Sequence, residues 1–337
     1  MQALRCEIAA QAKRYGRLQF ATLYFGGGTP SALLPEEMGA IVTWLREHFD
    51  FKPGAEWTCE INPGDVDRAK LETYRELGVN RISMGIQTFD KNLLDKLNRP
   101  HGTREIFETC AVLNEVGFEN VSVDLIARLP GQNAADFEND LRQTLTLNPG
   151  QFSIYDLDVH EDTAFGVWQK QGRLPLANED EHARMIQNAE RLLESRGYSQ
   201  YALSAFAKPG FESRHNLIYW HNGDYLGLGP GAFSYLNGER FQFAPDVARY
   251  LAKCETADWA PDVSDPLTEE KKQLETLLTG LRLREGVALE PLTQIRESVA
   301  LKPRPLVEAG LLESPEGRLR FTSRGRLVAE SVFAALV

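Results

Sequence analysis

The residues of this chain that can do chemistry cluster at the ends of short apolar runs. Gly26-Gly27-Gly28-Thr29-Pro30 closes the first run, Glu60 sits near the end of the second, Gln87 the third and Asp124 the fourth. A fifth ends in Ser153-Ile154-Tyr155-Asp156-Leu157-Asp158. Taken singly, a glycine triplet is a tight turn and each polar residue satisfies loop backbone. A polar group recurring at the end of every run is the pattern of a binding site. The Gly-Lys-Ser/Thr of a phosphate loop is missing, so the glycines serve close approach of backbone N–H groups to an anionic or zwitterionic ligand. Arg99, in Leu97-Asn98-Arg99-Pro100, adds a fork suited to a carboxylate. Together these point to a ligand with hydroxyls and charged groups, such as a nucleoside. His215, near Tyr219 and Trp220, reads by itself equally well as a packed histidine.

Alternating strands and helices must position this set. Strand Thr22–Phe25 is followed by a helix opened by Pro35, where a first-turn proline costs no hydrogen bond. Strand Trp57–Ile61 leads to helix Val66–Leu77, strand Arg81–Ile86 to helical stretches Lys91–Leu97 and Thr103–Val116, and strand Val121–Leu125 to helix Ala134–Leu145, before strand Phe152–Leu157. Gly78 and Gly117 fall where left-handed helix caps are expected. This rhythm predicts an α/β fold with a parallel sheet, open or closed into a barrel, whose strand C-termini share one ligand-binding face. The chain opens with a helix over residues 3–15, so the run begins one strand late. After residue 165 the rhythm changes to a longer helix, Asp180–Arg196, a strand-like Ser199–Phe206 and a dense aromatic and glycine stretch, His215–Tyr235. The last part, with Leu274, Leu277, Leu278 and Leu281 at helical spacing and a strand-like Arg318–Phe321, predicts a small winged-helix-like α+β module.

The formal charge of −11 argues against a nucleic-acid partner. The basic cluster Arg318, Arg320, Arg324 and Arg326 reads as a solvated rim. No apolar run approaches a membrane span and the N-terminus has no signal-peptide pattern, so a cytoplasmic protein is expected. The four cysteines, Cys6, Cys59, Cys110 and Cys254, are scattered without metal-ligand spacing. Buried inert thiols are expected rather than a disulfide framework or a metal site.

Several motifs in order carry a resemblance over nearly the whole chain. Tyr24-Phe-Gly-Gly-Gly-Thr-Pro-Ser31, Cys59-Glu-Ile-Asn-Pro-Gly64, Asn80-Arg-Ile-Ser-Met-Gly-Ile-Gln-Thr-Phe89, Leu97-Asn-Arg99, Asp124-Leu-Ile126 and Leu129-Pro-Gly131 resemble radical S-adenosylmethionine enzymes of the coproporphyrinogen oxidase type. Arg214-His-Asn-Leu-Ile-Tyr-Trp220 and Asp224-Tyr-Leu-Gly-Leu-Gly-Pro-Gly231 resemble its heme-chaperone (HemW-type) branch. The resemblance implies a partial (β/α)6 barrel, here lacking its first strand, over residues 1–165. It further implies an extension over 166–262 and a winged-helix-like C-terminal domain over 263–337. Gly27, Gly28 and Thr29 would meet the methionyl part of S-adenosylmethionine. Glu60, Gln87, Arg99 and Asp124 would line the rest, Arg99 at the carboxylate and Asp124 at the ribose. His215, Tyr219 and Trp220 become candidates for heme contact, imidazole being an axial ligand and the flat rings a porphyrin surface.

The family also uses a 4Fe-4S cluster held by CxxxCxxC on the loop after the first strand, and this chain has no such motif. The completeness of the glycine loop and its partners favours a start upstream of Met1 over a decayed site. Ala127-Arg128 stands where relatives often carry Tyr-Gly, and Phe233 where the chaperone branch often shows histidine. The resemblance implies a protein that binds heme or a porphyrin and delivers heme to acceptor proteins. An oxygen-independent coproporphyrinogen III oxidase and a cluster-free remnant are the alternatives.

Overall fold

The computed structural model describes residues 1–295 and 301–337. Elements follow the order α1 (Gln2–Tyr15), β1 (Gln19–Phe25), α2 (Pro35–His48), β2 (Asp50–Ile61), α3 (Arg68–Leu77), β3 (Arg81–Gln87), α4 (Lys91–Lys96), α5 (Thr103–Val116), β4 (Val121–Ala127), α6 (Ala134–Thr146) and β5 (Gln151–Asp156). Then come α7 (Ala164–Lys170), α8 (Glu179–Glu194), β6 (Ser199–Ala202), β7 (Ala205–Ala207) and α9 (Arg214–Trp220). Strands β1 to β7 form one sheet in the order β1-β2-β3-β4-β5-β7-β6. Strands β2 to β5 pair in parallel, while β7 runs antiparallel to both β5 and β6. The expected βα rhythm is therefore present, with β2 starting seven residues earlier than its apolar run. The strand-like Ser199–Phe206 is a tight hairpin that adds two antiparallel strands at the sheet's edge.

Local chemistry explains the boundaries. Every residue of β3 is buried, as a central parallel strand covered on both faces requires. The Asp67 carboxylate accepts from the Lys70 N–H at the start of α3, and Asn133 does the same for Ala135 and Asp136 at α6. Gly78 and Gly117 close α3 and α5 with φ of 111° and 86°, the predicted left-handed caps. Two buried polar hubs lock the strands that carry the site. Asp140 of α6 accepts from the Phe89 N–H at 2.9 Å, Thr88 Oγ1 at 2.8 Å and Gln132 Nε2 at 3.2 Å, fixing the turn after β3. Arg81 at the start of β3 is 2 % exposed and donates to Asn120 Oδ1, Gln151 Oε1 and the Phe211 carbonyl.

The chain divides into two compact units, one of residues 24–33 and 57–212, the other of residues 1–23, 34–56 and 213–337. The second unit holds two further sheets that periodicity does not announce. Strands β8 (Phe233–Leu236), β9 (Glu239–Gln242) and β10 (Val263–Pro266) form an antiparallel sheet, with α10 (Val247–Thr256) between β9 and β10. After α11 (Glu269–Gly280), the short strands β11 (Val287–Ala288), β12 (Leu312–Glu313) and β13 (Arg318–Phe321) pair around β13. Here the predicted α+β module is found. Arg318 pairs with Glu285 and Arg320 with Glu313, so half of the basic cluster is already matched by neighbouring carboxylates.

Sequence spacing predicts four inert thiols, and the structure corrects this for two. Cys59 and Cys110 are free and buried, but Cys6 and Cys254 form a disulfide. Packing of α1 against α10 brings their Cα atoms to 5.9 Å across 248 positions, a proximity no sequence spacing records. Among the described residues, no helix is long and apolar enough to cross a membrane.

Candidate functional site

The C-terminal ends of β1 to β5 surround a cavity of about 280 Å³. All seven cofactor-site candidates from the sequence line it: Gly27, Gly28, Thr29, Glu60, Gln87 and Asp124 near or just beyond strand ends, and Arg99 from the loop after α4. A second cavity of about 620 Å³ shares Thr29, Ser31, Asn62 and Arg99 with the first, so Arg99 borders both.

The three glycines serve different ends. A Cβ on Gly26 would lie 2.5 Å from the Tyr24 ring and 2.9 Å from Glu60 Oε1. Gly27 has φ of 100°, a backbone that side chains avoid, and it directs its N–H to Glu60 Oε2 at 3.3 Å. Neither Gly27 nor Gly28 has an atom within 4 Å of its Cβ position, so the backbone there is open to close approach by a ligand. Glu60 is held from the other side by Tyr24, whose hydroxyl donates to Oε1 at 2.7 Å. Burial, reinforced by the Glu60 carboxylate, pushes the Tyr24 phenol well above its usual range, so it remains a proton donor.

Gln87 reaches the cavity through a bulge: the β3–β4 register shifts between Gly85 and Gln87, and Gln87 takes φ of 67°. Its amide lies back over Gly85, where a Cβ would meet Nε2 at 2.9 Å. A left-handed non-glycine residue at a cavity wall stores strain, and the Thr88–Asp140 hub next to it holds it there.

Arg99 Nη1 donates to Asn62 Oδ1 at 2.8 Å. Asn62 Nδ2 donates to Asp65 Oδ2 at 3.0 Å, and Ser31 Oγ donates to the same oxygen at 3.0 Å. The guanidinium is thus fixed by a chain of polar groups that returns to the end of the glycine loop. Asp124 accepts from Ser83 Oγ at 3.2 Å. Burial raises its pKa to about 6 against the pull of the Ser153 and Ser83 hydroxyls, with Glu60 adding to the rise and Arg81 opposing it. At neutral pH it is a carboxylate with capacity to accept from ligand hydroxyls. Tyr155, from the fifth strand end, also lines the cavity, and Tyr24, Asn62 and Ser83, which sequence reasoning does not single out, belong to the site or its immediate support. Tyr24 and Asn62 lie at or just beyond a strand end, but Ser83 is the third residue of β3 and carries no such signal.

An S-adenosylmethionine molecule fits this donor set. Open glycine backbone and Thr29 suit the methionyl part, Arg99 its carboxylate, and Glu60, Gln87 and Asp124 the hydroxyl and amine donors. The residues present do not fit a 4Fe-4S cluster. Cys59 in β2 and Cys110 in α5 are free and buried, Cys6 and Cys254 are bonded to each other, and among the described residues no group of three or more His, Cys, Asp or Glu side chains is placed to hold a metal ion. No radical step follows from these residues.

In the other unit, α9 brings His215 and Tyr219 together. His215 Nδ1 lies 2.8 Å from Thr22 Oγ1, and Nε2 lies 2.8 Å from Tyr219 Oη. Burial lowers the imidazole to a pKa of about 4, so it is neutral at pH 7. Glu56 receives the N–H groups of Arg214 and His215 at the start of this helix. Trp220 does not join the pair; the Arg282 guanidinium stacks over its ring at 5.1 Å.

Comparison with known proteins matches residues 7–144 to the Radical SAM superfamily and residues 267–328 to the HemN C-terminal domain. The chain is 33% identical to the heme chaperone HemW of Bacillus subtilis over 100% of this chain and 90% of that protein. It is 35% identical to the heme chaperone HemW of Synechocystis over 90% of this chain and 73% of that protein. Among solved structures, coproporphyrinogen III oxidase (HemN) of Escherichia coli, a radical SAM enzyme, superposes with a TM-score of 0.84 at 24% identity, covering 99% of this chain and 81% of that one. The α/β fold is therefore that of the HemN-like radical SAM barrel with its C-terminal domain.

Proposed function

The chain belongs to the heme chaperone HemW family of radical S-adenosylmethionine proteins, and from that premise we propose that it binds heme, delivers it to acceptor proteins, and holds S-adenosylmethionine in the strand-end cavity. The observation that carries the cofactor half is the convergence of Gly27, Gly28, Thr29, Glu60, Gln87, Arg99 and Asp124 on one cavity. The Bacillus subtilis and Synechocystis relatives are heme chaperones by name, and the heme half extends that description to this chain.

His215 supports the heme half by its protonation state. Iron takes a neutral imidazole, and burial keeps His215 neutral. In the tautomer that carries its proton on Nδ1, His215 donates to Thr22 Oγ1 and Nε2 offers a lone pair, which the Tyr219 hydroxyl then occupies. Heme iron would replace that hydroxyl, with the Thr22 contact fixing the ring. Titration of the protein with hemin tests this. A Soret shift is expected; His215→Ala weakens binding about tenfold or more, while Tyr219→Phe, which removes the competing hydroxyl, tightens it a few-fold. An unchanged spectrum in the unsubstituted protein would sink the heme reading, and a full-strength complex in His215→Ala would remove His215 from it.

A further inference from the structure

Glu60 has two oxygens and two fixed neighbours. Tyr24 Oη donates to Oε1 at 2.7 Å, a short, charge-assisted contact. Gly27 N–H meets Oε2 at 3.3 Å, a long one. The phenol therefore anchors Oε1 and leaves Oε2, beside the open glycine backbone, the more available to a donor from outside the protein. The arrangement constrains the sequence. The Tyr24 ring and Glu60 Oε1 together fill the space a Cβ would need at residue 26, so the Tyr24–Glu60 pair demands glycine there. That explains the first glycine of the triplet, which otherwise has an ordinary negative φ and no evident need to be glycine.

We propose that Tyr24 is a positioning residue for ligand binding: it fixes the rotamer of the Glu60 carboxylate so that Oε2 faces the hydrogen-bond donors of a bound nucleoside sulfonium. This rests on the reading of the cavity as an S-adenosylmethionine site. Tyr24 does not touch the ligand in this role; it acts through Glu60. Without the phenol, the carboxylate turns between rotamers and loses its preorganisation, and ordering it again offsets part of the ligand's binding.

A double-substitution cycle read by calorimetry with S-adenosylmethionine tests the proposal. Tyr24→Phe, which keeps the ring and its packing against Gly26, is expected to weaken binding about tenfold. Glu60→Gln is expected to weaken it at least as much. In the Glu60→Gln background, Tyr24→Phe should then cost little more, since no carboxylate remains to be aimed. A structural role for Tyr24 predicts the reverse: the same loss in both backgrounds, with a lowered melting temperature. That result, or unchanged affinity in Tyr24→Phe, overturns the proposal while leaving the site reading intact. Absence of binding by the unsubstituted chain overturns both.

Discussion

Arg81→Ala is expected to be the most damaging single substitution in the sheet, lowering stability by about 3 kcal/mol or more. Arg81 is buried at the start of β3 and supplies hydrogen bonds to Asn120 at 2.6 Å, to Gln151 at 2.8 Å and to the Phe211 carbonyl at 3.3 Å. Truncation removes that donor from all three, although Gln151 Oε1 keeps the Tyr201 hydroxyl at 3.1 Å, and opens a cavity between three segments of the chain. Each unsatisfied group costs about 1–3 kcal/mol and the lost packing adds to it. For a protein of this size the melting temperature should fall by roughly 5 °C or more. Arg81→Lys keeps the charge but cannot span the three acceptors, and should recover only part of the loss. A thermal melt checks both variants. A melt of Arg81→Ala within a degree of the unsubstituted protein would show that water replaces the guanidinium at no cost. The consequence reaches the site, because the Arg81 charge opposes the burial that raises the pKa of Asp124.

Arg99→Ala is expected to weaken S-adenosylmethionine binding about 100-fold. Truncating a fixed cation opposite a carboxylate costs roughly 2–5 kcal/mol, and each 1.4 kcal/mol is a factor of ten. Arg99 qualifies because it is already ordered by Asn62, which is itself tied to Asp65 and through it to Ser31. The ligand meets a prepared fork and does not have to organise one. Calorimetry with 5′-methylthioadenosine, which lacks the amino-acid arm, supplies the control: its affinity should be the same in Arg99→Ala as in the unsubstituted chain. Equal losses for both ligands would place Arg99 elsewhere than at the carboxylate.

Much of this molecule is legible in its amino-acid sequence, for identifiable reasons. The βα units announce themselves because the buried strands are built around short apolar runs and their helices start and stop at Asp67, Gly78, Asn133 and Gly117, residues whose chemistry caps helices. Strand ends share one face, so Glu60, Gln87 and Asp124 group together from their positions along the chain alone, while Arg99, in the loop after α4, joins them through the motif resemblance. What stays hidden depends on contacts between distant segments. Strands of two to four residues such as β7 and β8 are too short to show a period. The Cys6–Cys254 bond joins residues 248 apart. Tyr24 looks like any aromatic in a strand until the Glu60 carboxylate is placed beside it. Gln87 stands out as a polar strand end, but its left-handed backbone arises from the bulge with β4, which only pairing reveals. Trp220, grouped with His215 and Tyr219 by adjacency, proves to be engaged with Arg282.

Transfer kinetics test whether the protein delivers heme to an acceptor. The protein, loaded with one equivalent of hemin, is mixed with increasing concentrations of an apo b-type cytochrome, and the acceptor's Soret band is followed. The transfer rate should rise with acceptor concentration, as expected when heme passes within a complex of the two proteins. A rate that is flat in acceptor concentration and equal to spontaneous release of hemin would contradict it, leaving a protein that binds heme without handing it on.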